Sequence, residues 1–115
     1  MWVTGWTLAP YTQPFFARWD GSGWERVKGP VIPEWGQIMG IGGPSADRLW
    51  AVGWQPQGVL MERWDGSSWR VVPAPSPPGR PQLVDVIVDS DGFGWTVGTI
   101  GNSDGDPLIE RTCRH

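Results

Sequence analysis

The sequence predicts an all-β fold assembled from repeated four-stranded antiparallel sheets. Three observations predict it: a set of motifs that recurs along the chain, short strand-like runs punctuated by turn residues, and the lack of helical periodicity. Trp2-Val-Thr-Gly-Trp6 matches Trp50-Ala-Val-Gly-Trp54, and Trp95-Thr-Val-Gly98 matches both. Arg18-Trp-Asp-Gly-Ser-Gly-Trp24 matches Arg63-Trp-Asp-Gly-Ser-Ser-Trp69, and Leu60-Met-Glu-Arg63 returns as Leu108-Ile-Glu-Arg111. The copies are about 45–48 residues apart, a period which, with pieces of this kind, belongs to a propeller blade.

Taken in order, runs of β-branched and aromatic residues predict strands at 2–6, 14–19, 24–28, 37–42, 49–54, 59–64, 69–73, 83–88, 94–99 and 107–113. No window keeps apolar residues at i, i+3, i+4 and i+7 without an intervening Gly or Pro, so no helix beyond one turn is expected. With a blade's strands named a to d from inside outward, the order is b-c-d, a-b-c-d, a-b-c. That is about two and a half blades in one domain, with repeats at about 1–33, 34–81 and 82–115. The expected whole is therefore a partial or oligomer-completed β-propeller.

Strands c and d are joined through Asp20-Gly21 and Asp65-Gly66, a strong hairpin signal. A two-residue turn there pairs Trp19 with Ser22 and sets Ala17 opposite Trp24; a four-residue turn changes that register. The Gly of each Trp-x-x-Gly motif (5, 53 and 98) is expected to admit close backbone approach or a bend. The a-b and c-d connections are short and alike between copies. The b-c connections (Thr7 to Gln13, Gln55 to Gly58, Thr99 to Asp106) and the Pro-rich d-a connections (Gly29 to Gly36, Ala74 to Gln82) differ from copy to copy. In a propeller these two sets open on one rim, and variable loops on a rigid scaffold are where binding resides.

Composition narrows the function classes. The chain has 115 residues, of which 10 are Trp, 17 Gly and 12 Pro; that much aromatic surface argues for turns in a packed protein, not for disorder. A net charge of −3 and the lack of a basic run argue against nucleic-acid binding. No segment reaches the ~18 apolar residues of a membrane span. The first residues do not read as a signal peptide, which leaves the compartment open, a bacterial surface or secreted location included. Cys113 is the sole cysteine and His115 the sole histidine. Catalysis by a Ser-His-Asp triad or Cys-His pair, and His-based metal sites, are therefore nearly excluded.

The order strand a, Trp-x-Val-Gly, Glu-Arg-Trp-Asp-Gly-Ser-x-Trp, Val-x-Pro resembles kelch-type propeller repeats. It is more similar still to the Trp-x-Val-Gly / Trp-Asp-Gly-x-x-Trp repeats of bacterial kelch-like proteins. In the kelch pattern strand b ends in a Gly-Gly pair, reduced here to Thr4-Gly5, Val52-Gly53 and Val97-Gly98. The kelch aromatics correspond to Trp19 with Trp24 and Trp64 with Trp69. The likeness spans nearly the whole chain but departs at its end, where Thr112 replaces the Trp and no Asp-Gly-x-x-Trp follows. WD repeats fit less well because they carry a Gly-His pair, and the sialidase Asp-box needs a longer Asp-to-Trp spacing. The resemblance implies a scaffold that serves many unrelated functions.

Asp20 and Asp65 precede Gly in a repeated turn, which favours capping of the turn backbone over paired catalytic carboxylates. Asn102-Ser-Asp104-Gly-Asp106 has the look of a calcium loop, but Pro107 and Cys113 occupy the positions of the required Gly and Glu. Arg18, Arg63 and Arg111 are expected to pair with carboxylates or carbonyls of a neighbouring blade. Tyr11, Trp35, Trp54, Gln55, Gln57, Asn102 and Asp104 lie in or beside the variable rim and form the candidate ligand site.

The expected function is non-catalytic: a binding or interaction module on a kelch-like propeller, meeting a glycan or a protein at the b-c/d-a rim. No catalytic residue, metal or cofactor is assigned. The alternatives are a fragment of a galactose-oxidase- or sialidase-like enzyme with its catalytic residues in other blades, and a purely structural self-assembling unit. Because a blade is apolar on both faces, further blades are expected to cover the two ends. A larger parent chain is favoured as their source, with a homo-oligomer second.

Overall fold

The structure is a computed structural model that describes residues 1–7, 12–45, 47–56, 58–73, 81–88, 94–101 and 106–111. Every regular element in it is a strand: β1 (Trp2–Thr7), β2 (Gln13–Trp19), β3 (Trp24–Val27), β4 (Gln37–Ser45), β5 (Arg48–Gln55), β6 (Gly58–Trp64), β7 (Trp69–Val71), β8 (Pro81–Val88), β9 (Gly94–Ile100) and β10 (Asp106–Arg111). These coincide, within a few residues at their ends, with the ten runs read from the sequence. Among the described residues no helix is long and apolar enough to cross a membrane.

The strands form three antiparallel sheets in chain order: a first sheet β1-β2-β3, a central sheet β4-β5-β6-β7 and a third sheet ordered β8-β9-β10. Alternation of side chains gives each sheet two faces. One face of the central sheet presents Ile38, Leu49, Ala51, Leu60, Trp64 and Trp69, which pack with Phe16, Trp2 and Val27 of the first sheet. Its opposite face presents Trp50, Val52, Val59 and Met61, which pack with Leu83, Val86 and Leu108 of the third. The central sheet is thus apolar on both sides and covered on both. That explains the near-continuous burial of β5 and β6 where a half-solvated strand would alternate.

The glycine of the Trp-x-Val-Gly motif has a definite task. A Cβ on Gly53 would run into the carbonyl oxygen of Gln37, and one on Gly98 into that of Gln82. Both glycines sit beside an irregularity in the neighbouring edge strand, between Ile38 and Gly40 of β4 and between Leu83 and Asp85 of β8. The motif therefore admits a bulged edge strand. Gly5, the first copy, has nothing within 4 Å of its Cβ position, because among the described residues β1 is itself an edge strand paired only with β2.

The Asp-Gly connections correct the two-residue turn. Trp19 is opposite Trp24, and Trp64 is opposite Trp69, so each loop holds four residues. One carboxylate oxygen of Asp20 accepts from the backbone N–H of Ser22 and of Gly23, at 2.8 Å each, and from the Ser22 hydroxyl. Asp65 repeats the arrangement with Ser67 and Ser68. Gly21 and Gly66, both at φ 101°, supply the left-handed residue that the turn requires. The carboxylate replaces a second turn hydrogen bond, which is why the same Asp closes both hairpins.

Candidate functional site

The variable rim forms where strand ends meet. Trp54 closes β5 opposite Gln37 on one side and Val59 on the other, and Gln55 lies opposite Gly58. Trp6 holds the equivalent place in β1, opposite Pro14. The β1–β2 and β3–β4 connections are stitched together at this end. The side chain of Gln13 donates to the Ile32 carbonyl at 2.8 Å and accepts from the Ile32 N–H at 2.7 Å, while the Gly36 N–H donates to the Thr12 carbonyl. Ile32 is buried at this junction, which anchors the connection to the core. The β1–β2 and β3–β4 connections thus meet at one end of the first and central sheets.

Of the seven candidate residues, Tyr11, Gln57, Asn102 and Asp104 lie outside the described residues. Trp35 and Trp54 are half-buried. Trp35 donates its N–H to the Pro33 carbonyl, closing a tight turn around Glu34. Glu34 is exposed at φ 68°, a left-handed conformation that a long side chain adopts only where its neighbours hold it. Gln55 uses its side-chain N–H to hold the Val59 carbonyl at 3.0 Å, so part of its hydrogen-bonding capacity serves the loop itself.

Two rim residues escaped the sequence reading, Trp6 and Glu34. Trp6 is 41% exposed, and its signal was present, since Gly5-Trp6 repeats as Gly53-Trp54. Nothing in the sequence marked Glu34 as left-handed.

The arginine series also needs correction. Trp2 is opposite Arg18, Trp50 opposite Arg63 and Trp95 opposite Arg111. In each pair the guanidinium lies over the indole, at 5.6, 5.9 and 5.5 Å from the ring centroid. Arg18 forms its ion pair with Glu25 of its own sheet, at 3.3 Å, not with a neighbouring blade, and it also reaches over the Trp64 ring. The recurrent Arg is thus the second half of a cross-strand Trp–Arg pair.

Behind the rim the interior holds a buried carboxyl. Glu62, on the face of the central sheet that meets the first sheet, is fully buried with neither carboxylate oxygen hydrogen-bonded. The indole N–H groups of Trp64 and Trp69, on the same face, are equally without partners. Desolvation pushes the Glu62 carboxyl up to about 7. Glu110, its repeat equivalent in β10, is raised for the same reason. The exposed turn carboxylates go the other way. Hydrogen bonds from Ser68 and Ser67 bring Asp65 down to about 2, and those from Ser22 and Gly23 lower Asp20.

No family model matches the chain, and no curated protein matches it. Among the described residues no three His, Cys, Asp or Glu side chains gather where a metal ion could be held.

Proposed function

We propose that this chain is a non-catalytic binding module on a kelch-like propeller scaffold, with its three sheets acting as consecutive blades and a glycan or protein ligand held at the rim of b-c and d-a connections. The observation that carries this reading is the contrast between the two ends of the sheets. One end is two near-identical Asp-capped turns. The other brings connections of different sequence together and carries Trp6, Trp35 and Trp54. Aromatic faces beside polar side chains suit the apolar face of a sugar ring or an extended peptide.

A glycan microarray followed by calorimetry tests it. The expected result is binding that Trp6→Ala or Trp54→Ala weakens by about tenfold or more, with Asp20→Ala leaving affinity unchanged. Loss of binding on altering the Asp20 or Asp65 turn alone would place the ligand at the wrong end, and turnover of a carbohydrate by the chain would overturn the non-catalytic reading.

A further inference from the structure

We propose that the outer face of the first sheet docks on the outer face of the third sheet of a second copy of this chain, repeating between molecules the contact made between sheets within one. This goes beyond the rim proposal and does not depend on a ligand. Repeat equivalence supports it. Within the chain, the face bearing Trp64 and Trp69 packs on the neighbouring face bearing Trp2, Phe16 and Arg18. Trp69 stacks on Phe16 with ring centroids 4.1 Å apart, and Trp2 meets Trp64 edge-on at 5.0 Å.

Both halves of that contact occur once more, unused. Trp19 and Trp24, the equivalents of Trp64 and Trp69, are 41% and 52% exposed on the outer face of the first sheet. Trp95, Val97 and Ile109 stand in β9 and β10 where Trp2, Thr4 and Phe16 stand in β1 and β2. All three are exposed on the outer face of the third sheet, with Arg111 over Trp95 as Arg18 is over Trp2. An aromatic pair and its receptor are therefore displayed at opposite ends of one molecule.

The intermolecular contact avoids a cost that the internal one carries. At the position of the buried, unpartnered Glu62 the first sheet has Ala17, so the intermolecular contact lacks that carboxylate. A count of strands at such a junction, a-b-c followed by b-c-d, disfavours self-assembly because the edges do not tile. Face packing does not need them to, since β9 and β10 can meet β1 and β2. The contact is heterologous, so it closes a ring or propagates. Two copies joined at both junctions give six sheets, within the about four to eight blades of closed propellers.

Sedimentation velocity on the full chain tests the proposal. Wild-type protein is expected to associate below on the order of 100 μM, and Trp24→Glu or Ile109→Glu to weaken association by about 30-fold or more. Mixing the two variants is expected to restore a one-to-one dimer, because one retains the receiving face and the other the inserting face. Val3→Glu and Val97→Glu, on the same two faces, repeat the test should either first variant fail to fold. A wild-type chain monomeric at that concentration overturns the proposal, as does a mixture that stays monomeric or an Ile109→Glu variant that associates like wild type.

Discussion

The indole of Trp69 lies flat on the ring of Phe16, 14° from parallel, and this stack ties the first sheet to the central one. Phe16 is fully buried, and its partner is 4% exposed. Phe16→Ala is expected to destabilise the fold by about 3–5 kcal/mol. A double-mutant cycle with Trp69→Ala should give a coupling of about 0.5–1.5 kcal/mol beyond area burial. Denaturant titration measures both. A Phe16→Ala loss no larger than that of an exposed substitution would mean that the sheets do not pack this way.

Glu62 sets a pH dependence of defined sign. Its carboxyl titrates at about 7 when folded, against 4.5 for the free group. Below the lower value both states are protonated and nothing is lost. Between the two the unfolded chain ionises first, so stability declines as pH rises, by on the order of 3 kcal/mol once the folded value is passed. Thermal melts from pH 4.5 to 8 should show this decline, and Glu62→Gln should flatten most of it. A wild-type melting temperature that rises across this window would contradict the account.

The turn carboxylates act at the other end of the scale. Asp65 titrates near 2 when folded because backbone and hydroxyl donors stabilise its charge, and Asp20 is lowered for the same reason. Their contribution is present above the ordinary value of 3.8 and disappears as pH falls toward the folded value. Asp65→Ala is expected to destabilise the protein at pH 6 and to shrink the acid loss, with chemical-shift titration of the carboxyl carbon as the direct check.

Equivalent glycines in different surroundings give a third contrast. Gly98→Ala drives a methyl into the Gln82 carbonyl and is expected to cost more than the ~1 kcal/mol of an average substitution. Gly5→Ala meets open space and should be neutral, or stabilising by up to ~1 kcal/mol through reduced backbone entropy. Equal effects at the two positions would dissociate the motif from the bulged edge strand.

Much of this architecture was legible because side-chain alternation and turn chemistry are local. The ten strands and the closing Asp of each hairpin follow from residues within a few positions of one another, whereas the carbonyls that approach Gly53 and Gly98 belong to Gln37 and Gln82 of a neighbouring strand. The loop length around Asp20 did not follow, because Asp-Gly starts two-residue and four-residue turns alike; pairing Trp19 with Trp24 decides between them. The arginines were legible only in part. Charge suggested carboxylate or carbonyl partners in a neighbouring blade, whereas Arg18 pairs with Glu25 of its own sheet and antiparallel register sets each Arg opposite a Trp, and register depends on the whole hairpin. Burial of Glu62 was invisible for the same reason, since the sequence Met61-Glu62-Arg63 reads as an exposed charged pair until the first sheet covers it.

The front-to-back stacking of the three sheets is tested most directly by nuclear Overhauser contacts on the folded, isotope-labelled chain. Cross-peaks are expected from the Phe16 ring to the Trp69 indole across one junction and from the Val52 or Met61 methyls to Leu83 or Val86 across the other. Cross-peaks confined within each sheet, with neither junction represented, would contradict that stacking.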